Sequence, residues 1–546
     1  MSGKVIGIDL GTSNSVVSAV VNGQPMVIPD ADGARLQPSV VNFLPDGQML
    51  VGAQARDSKV FDPINTVYSV KRLIGKEFDS DEVQIAQSHY PYTVVQGADG
   101  NPKIEVFGHH YSPEELSSFI LQHLKSIAEN YLGQRVTQAV ITVPANFSES
   151  QRTATKLAGE MAGLEVSRVL NEPTAAALAY GYGQGKREKV AIYDFGGGTF
   201  DITILDLRDN VFEVMSTAGN TYLGGDDFDN RLVDYMAAAF LNRFGHDLSQ
   251  DTLALQRLKT IAENVKIDLT YQERVAVEIQ EMLPGSDTPA ELKFSISQTG
   301  FGERCGDIVD QTFVVCDEAL KLANLDRTEV DHVVLVGGST RIPVVAQMVL
   351  DYFQRPPVGN INPDEVVSIG AAVYGESLSN QNQYGADAGT ASALLIDVTP
   401  RGLGISTAGG YFDAIIDRNE NIPTERSRVF TTSRDNQDYV KIEVLEGESK
   451  LASENNKLGE LVLEGIRSAE RGSVEIEVTF EIDTDGILNV SAVDRKTRRR
   501  QSAKLQIAGL SEPYAENVES DMREDNAGAV MSPGGLPAFD ESMFGG

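Results

Sequence analysis

An α/β domain of two related lobes, then an antiparallel β-sandwich and a short acidic tail, is the fold class that the sequence predicts. Three observations carry it. A strand, Asp, Gly, strand pattern occurs at residues 5–17 and again at 190–202. Beyond residue 397 the chain changes to short alternating runs separated by turn residues. The final stretch, 511–546, holds one basic residue, Arg523, among many acids and has no sustained helical periodicity.

The first element is clearest in its second copy. Residues 191–204 read AIYDFGGGTFDITI, a good strand interrupted by Gly196, Gly197 and Gly198 and fenced by Asp194 and Asp201. Adjacent glycines weaken a strand, and alone they mark nothing more than a hairpin turn. The earlier copy, VIGIDLGTSNSVV, aligns Asp9 with Asp194 and Gly11 with Gly196. Each reads as a β-hairpin whose tight turn presents backbone N–H groups and ends its first strand in a carboxylate. Such a turn cradles an anion, and glycine lets a phosphate approach. Carboxylates repel phosphate, so their presence calls for Mg²⁺ between, held mostly through its own waters. Two distant copies imply two lobes clamping one nucleotide. A third glycine element, HVVLVGGSTRIP (332–343), again runs strand to turn, and Arg341 can lay its guanidinium on an adenine ring. No GxxxxGK[ST] occurs, which excludes a P-loop protein.

Composition sets the outer bounds. A chain of 546 residues calls for two or more domains. Lys+Arg 46 against Asp+Glu 79 gives −33, which excludes nucleic acid as the main partner. No secretory signal opens the sequence and no run of ~18 apolar residues occurs, so no membrane span is expected. Cys305 and Cys316 lie outside any CxxC, and a free-thiol cytoplasmic protein is expected. His109 and His110 lack further ligands at metal spacing, so no structural metal site is expected.

Taken together and in order, these motifs resemble the actin-like ATPase clan, and much more closely the 70-kDa heat-shock chaperones of DnaK type. The resemblance runs through GIDLGTSNS (7–15), VKRLIG (70–75), AVITVPANF (139–147), NEPTAAALAYG (171–181), DFGGGTFD (194–201), YLGGDDFDNRLV (222–233), VLVGGSTRIP (334–343) and NPDEVVSIGAAV (362–373). It extends to about residue 510. It implies an actin-like ATPase domain of duplicated ribonuclease-H-like lobes over 1–383, a linker over 384–396, a β-sandwich substrate-binding domain over 397–510, and an acidic disordered tail over 511–546 in place of the family's helical lid.

The resemblance also assigns roles. Gly11, Thr12, Ser13, Asn14, Gly196, Gly197 and Gly198, with Gly224 and Gly225, are implied to hold the phosphates. Asp9, Asp194 and Asp201 order the water shell of Mg²⁺ and nearby K⁺, with Glu172 on the same side, and Thr199 lies beside the γ-phosphate. Lys71 points its ammonium at the γ-phosphate and the attacking water, a sensible assignment because phosphoryl transfer depends on positioning and charge stabilisation. An isolated Lys in VKRLIG would ordinarily be a solvated surface group. Glu263, Lys266 and Thr270 fall at spacings of 3 and 4, hence on one helix face. The resemblance puts that face on ribose and adenine, opposite Gly337, Gly338, Ser339 and Arg341, with Asp364 nearby. Ile267 stands where some relatives place a second stacking Arg, which leaves one Arg on the base. Pro144 and Arg152 match a relay between the domains, with Asp397 beyond it, and Arg168 matches a contact with J-domain co-chaperones. Read neutrally, Pro144 ends a strand and Arg168 is a surface cation. Asn146 replaces an aromatic residue common in relatives.

The second half follows from its own pattern. SNQNQYGADAGTASA (379–393) is polar and small, as a connector should be, and ALLID (393–397) then inserts apolar residues. ALLID is either the first strand of the next domain or, as the resemblance implies, a linker that docks on the ATPase in one nucleotide state. Val474, Ile476, Val478 and Phe480 alternate with Glu475, Glu477 and Thr479, a half-buried strand turned by Asp485-Gly486 into ILNVSAV. The resemblance places a hydrophobic peptide groove at Ile405, Thr407, Phe430, Val440, Ile442 and Ile476, arched by Ala408 and Ser433, both small here. Such a groove takes extended chain through main-chain hydrogen bonds and an apolar pocket.

The expected function is an ATP-dependent chaperone of the stress response. It would bind exposed hydrophobic segments of unfolded polypeptides, hydrolyse ATP to ADP, and work with a J-domain co-chaperone and a nucleotide exchange factor. A nucleotide-dependent, client-specific scaffold is the alternative. A sugar or glycerol kinase on the same fold would leave the sandwich without purpose.

Overall fold

The computed structural model describes residues 4–282, 289–359, 361–384, 393–484, 486–498 and 500–504, all within one compact unit spanning residues 1–508. The expected tail, connector residues 385–392 and Asp485 lie outside the described residues.

Both copies of the repeated pattern are hairpins at the centre of a sheet. Lys4–Asp9 pairs antiparallel with Asn14–Val21 and parallel with Val136–Val143. Arg187–Phe195 pairs antiparallel with Phe200–Arg208 and parallel with His332–Val336. In each sheet the hairpin's second strand takes a further antiparallel neighbour, Gln24–Val27 in the first and Val211–Asn220 in the second. Two sheets thus share one pairing sequence. Strands covered on both faces read as continuous apolar runs, and Val5, Ile6, Ile8, Val190, Ala191, Ile192 and Tyr193 are all buried.

Local signals fix the helices. Pro113–Leu132 starts in a capping box between Ser112 and Glu115 and stops at left-handed Gly133. Glu149–Met161 starts the same way, from Ser148 and Gln151, directly after Phe147. Val366–Tyr384 crosses Glu172–Gly181 so closely that a Cβ on Gly370 would lie 1.7 Å from the Ala175 carbonyl oxygen. It also backs the first hairpin, where a Cβ on Gly7 would lie 2.1 Å from the Ala372 nitrogen. Glu172–Gly181 and Val366–Tyr384 share one apolar cluster with strands of both lobes.

One expectation needs correcting. The helix carrying Glu263 and Lys266 is Thr252–Asp268. Thr270 lies past its end, in a turn closed by Thr270 N–H to the Ile267 carbonyl at 3.0 Å. Periodicity carries through Asp268, but the turn shifts Thr270 off the helix face.

Past Ala393 the chain becomes all-β. Leu403–Thr407 lies between Tyr411–Ile416 and Tyr439–Glu446, with Asn456–Glu464 outermost; Thr424–Thr431, Glu475–Ile482, Leu488–Asp494 and Arg500–Lys504 form the facing sheet. Val474, Ile476, Val478 and Phe480 are buried between the sheets, as their alternation predicted, and Ile482 continues the row. The strand Leu394–Val398 pairs with both halves of the chain. Leu394, Leu395 and Ile396 add a parallel edge to Val211–Glu213 of the second lobe, while Asp397 and Val398 pair with Ile422 and Asn421.

Candidate active site

The two hairpin turns meet across the cleft. Gly11 allows the first turn to close, since a Cβ there would lie 2.1 Å from the Asn14 carbonyl oxygen. The second is closed by Gly196 N–H to the Thr199 carbonyl at 3.0 Å. A Cβ on Gly197 would lie 2.4 Å from Ser13 Oγ, so the tips approach to a distance only glycine permits. Neighbouring loops brace the second turn. Gly225 N–H donates to the Gly196 carbonyl at 3.0 Å, Asp226 N–H to the Gly197 carbonyl at 2.8 Å, and Ser339 Oγ to the Gly196 carbonyl at 2.8 Å. Gly224 packs so that its Cβ would lie 2.5 Å from the Gly198 nitrogen.

Beneath the tips the carboxylates converge. Asp9, Glu172 and Asp194 line one cavity of about 310 Å³ with Thr12, Ser13, Lys71 and Thr199. Lys71 Nζ donates to Glu172 Oε1 at 2.6 Å, a pair both of whose side chains are about nine-tenths buried (9% and 11% exposed). Burial, then the Glu172 carboxylate, pushes Asp9 up to about 7. The same causes raise Asp194 well above the usual carboxylate range and Asp201 to about 7. Asp201 sits behind the cavity wall and accepts a hydrogen bond from Asn146 Nδ2 at 2.6 Å. Among the described residues, no three Asp, Glu, His or Cys side chains gather tightly enough to hold a metal directly. The donor set nonetheless fits Mg²⁺ bound through its own waters, because several buried carboxylates share one wall and lack matching cations.

At the other end of the cavity stand Glu263, Lys266, Ile267, Thr270 and Tyr271, facing Gly337, Gly338, Ser339, Arg341 and Asp364. Gly337 adopts φ +83°, and a Cβ there would lie 2.4 Å from the Phe195 carbonyl oxygen, so the third glycine element packs directly on the second hairpin. Arg341 Nε is held by Asp364 Oδ2 at 2.6 Å. Lys266 Nζ is held by Asp229 Oδ2 at 2.6 Å and the Gly225 carbonyl at 3.1 Å.

A polar chain leads from the cleft to the sandwich. Arg152, buried, donates through Nη2 to the Ala145 carbonyl at 3.1 Å and to Asn171 Oδ1 at 2.6 Å. Asn171 Nδ2 then donates to Asp397 Oδ2 at 2.7 Å, which also accepts from Thr174 Oγ1 at 3.3 Å. Arg152 reaches the sandwich too, where a Cβ on Gly486 would lie 3.8 Å from its Cδ. Pro144 precedes Ala145 in the segment that Arg152 grips, and Arg168 lies 5.8 Å from the Tyr374 ring centre. Arg418 of the sandwich pairs with Glu318 of the second lobe at 2.6 Å, and Asn419 Nδ2 donates to the Met215 carbonyl at 2.8 Å.

Of the expected groove residues, Ile405, Ile442 and Ile476 are buried in the sandwich core, while Phe430 and Val440 are partly buried against it. Thr407 is half-buried, and Ala408 and Ser433 are exposed. Sequence reasoning missed four residues that bear on the cleft: Asn146 as the partner of Asp201, Asp229 as the partner of Lys266, Tyr271 on the rim, and Arg72. A Cβ on Gly198 would lie 2.4 Å from Arg72 Nη2. Its place beside Lys71 in VKRLIG was the available signal for Arg72. For Asn146, the departure from an aromatic residue was the signal.

The structure has no helix among its described residues long and apolar enough to cross a membrane. A family model, described as Hsp70 protein, matches residues 5–530.

Proposed function

The chain belongs to the Hsp70 family, and from that premise we propose that it is an ATP-driven chaperone whose cleft hydrolyses ATP and whose sandwich binds extended apolar polypeptide. Hsp70 proteins are ATPases in general and work with unfolded polypeptides, J-domain proteins and exchange factors. The observation that carries the reading is the buried Lys71–Glu172 pair beneath apposed glycine tips. ATP would lie with its phosphates between the Thr12–Asn14 and Gly196–Thr199 turns and its base between Arg341 and the Glu263–Thr270 segment. Asp9, Asp194 and Asp201 would hold hydrated Mg²⁺, with K⁺ beside it, and the metal would neutralise phosphate charge. The Lys71 ammonium would stand where the transferred phosphoryl group and leaving oxygen carry negative charge, and Glu172 fixes that ammonium in place. Water adds to the γ-phosphorus as the bond to the bridging oxygen breaks, yielding ADP, inorganic phosphate and a proton. The Arg152–Asn171–Asp397 chain would carry the nucleotide state to the linker, with the docked linker strand belonging to the ATP-bound side of the cycle. Coupling of this kind is reciprocal, so peptide must bias ATP turnover as nucleotide biases peptide affinity.

The test is ATP turnover with and without a model apolar peptide, in wild type and Lys71→Ala. Turnover that rises with peptide and vanishes in the variant supports the chaperone. ATP turnover indifferent to peptide leaves the client-specific scaffold, a reading favoured by the small, exposed Ala408 and Ser433. No turnover at all overturns both as an ATPase.

A further inference from the structure

The base end of the nucleotide cavity carries apolar side chains that the fold leaves uncovered. Ile267 is 48% exposed and Tyr271 73%, although both line that cavity. Tyr271 is set there by the turn after Asp268, closed by Thr270 N–H to the Ile267 carbonyl and by Tyr271 N–H to the Asp268 carbonyl, each at 3.0 Å. An aromatic ring that gains nothing from the protein's own core, yet stands at the rim of a cavity, is placed to gain from a flat guest.

Across the cavity Arg341 is held in plane. Nε donates to Asp364 Oδ2 at 2.6 Å, and Nη2 donates to Asn362 Oδ1. Lys266 is engaged by Asp229 and the Gly225 carbonyl, and Ser339 Oγ donates to the Gly196 carbonyl. With these donors engaged, the site serves the face of a base better than its edge. Glu263 lies four residues before Ile267, about 6 Å back along the helix. It also lines the neighbouring cavity beside Lys71 and Thr199, whereas Thr270 and Tyr271 line the nucleotide cavity alone. That sets Glu263 toward the ribose and Thr270 toward the base. A hydroxyl such as that of Thr270 donates to an oxo group as readily as it accepts from an amino group.

We propose that Tyr271 is the base-specificity residue of this site. Its ring, with Ile267, covers the face of the base opposite Arg341, so the site selects a purine by its stacking surface and takes either an amino or an oxo group at C6. Stacking is tolerant in this way because the π-face is what it reads. The inference rests on the ATPase reading above.

The experiment measures hydrolysis of ATP, ITP and CTP by the full chain. In wild type, kcat/KM for ITP should fall within about fivefold of ATP, and for CTP at least about 30-fold below it. Tyr271→Ala should cut the preference for ATP over CTP at least about fivefold, through KM with kcat held. Tyr271→Phe should keep the wild-type preference. The chain contains no Trp, so Tyr271→Trp installs its only one. That fluorescence should be quenched by MgADP and MgIDP alike, and far less by MgCDP. An unchanged preference in Tyr271→Ala, an equal loss for all three nucleotides, ITP poorer than stated, or no purine quenching would overturn the base clamp while leaving the ATPase standing. A wild type that hydrolyses none of the three would overturn the ATPase reading itself, and this assignment with it.

Discussion

The cleft and the seam beside the sandwich both bury charge where two parts of the chain meet, and they dispose of it in opposite ways. In the cleft Asp9, Asp194 and Asp201 are pushed up by burial and then by the Glu172 carboxylate, with Lys71 already committed to Glu172. In the seam Arg152 finds Asn171 and two carbonyl oxygens, Asp397 finds Asn171 and Thr174, and Arg418 finds Glu318. The cleft is incomplete without a charged guest. In the seam the Arg152–Asn171–Asp397 chain is paired within the protein, while Arg418 Nε, Asn419 Oδ1 and Glu446 Oε2 stay buried without a hydrogen-bond partner. Removing one member of a matched buried set leaves the others uncompensated, whereas removing charge from the cleft changes what it can bind and do.

The largest effect should come from Lys71, the buried ammonium paired with Glu172. Lys71→Ala should lower single-turnover hydrolysis at least ~100-fold, the scale seen when a transition-state donor is removed. ADP affinity measured by calorimetry should change far less. Equal losses in both would mean that Lys71 serves binding alone, and the contrast between guest site and seam would lose its catalytic half. Next in size, Gly197→Ala drives a methyl into Ser13 Oγ, 2.4 Å away. ADP affinity should fall about tenfold or more through a wedged cleft, and Ser13→Gly in the same chain should restore part of it, a coupling that a double-mutant cycle reads directly.

The seam answers differently. Arg152→Ala should leave basal ATP turnover within about threefold while abolishing its stimulation by peptide, since Asn171 and Asp397 lose their buried cation. Loosening of the strand Leu394–Val398 should appear as faster limited proteolysis in the presence of ATP. If stimulation survives, the polar chain is only packing.

These two regions also differ in how far the sequence exposes them. Each hairpin packs its Asp, glycine and hydroxyl into a dozen residues, so the repeat points to a pair of anion cradles, and the duplication shows in the shared pairing of both sheets. Thr270 shows the limit of periodicity, because a turn after Asp268 ends the helix that the spacing extends. In the seam only the resemblance points to Arg152 and Asp397, and their partners are not written in any local pattern. Asn171 meets Asp397 across 226 positions and Arg418 meets Glu318 across 100. No local pattern marks either partner. Asn146 binds Asp201 from 55 positions away, visible only as an oddity in a familiar motif. In the sandwich, alternation identifies Ile405, Ile442 and Ile476 as inward-facing but is identical for core and groove.

The smallest effect follows protons in the seam. Glu149 opens the helix after Phe147 and accepts a hydrogen bond from the Leu488 backbone of the sandwich. Burial pushes it up to about 8, the Arg152 guanidinium opposes that shift, and Glu446 and Asp483 reinforce it. Glu446 is itself raised, first by burial, against the pull of Arg401, Arg152 and Lys76. A carboxyl whose value rises on docking favours the docked form while protonated. That preference is full below its ordinary value near 4.5 and fades as pH climbs through about 8. Docking, read by protection of the Leu394–Val398 strand from protease, should therefore weaken as pH rises from about 6 to about 8.5. Glu149→Gln should flatten that slope, and Glu446→Gln should flatten it less. A slope of the opposite sign, or one untouched by either change, would mean that these carboxyls stay ionised on docking and that the seam is as unmatched as the cleft.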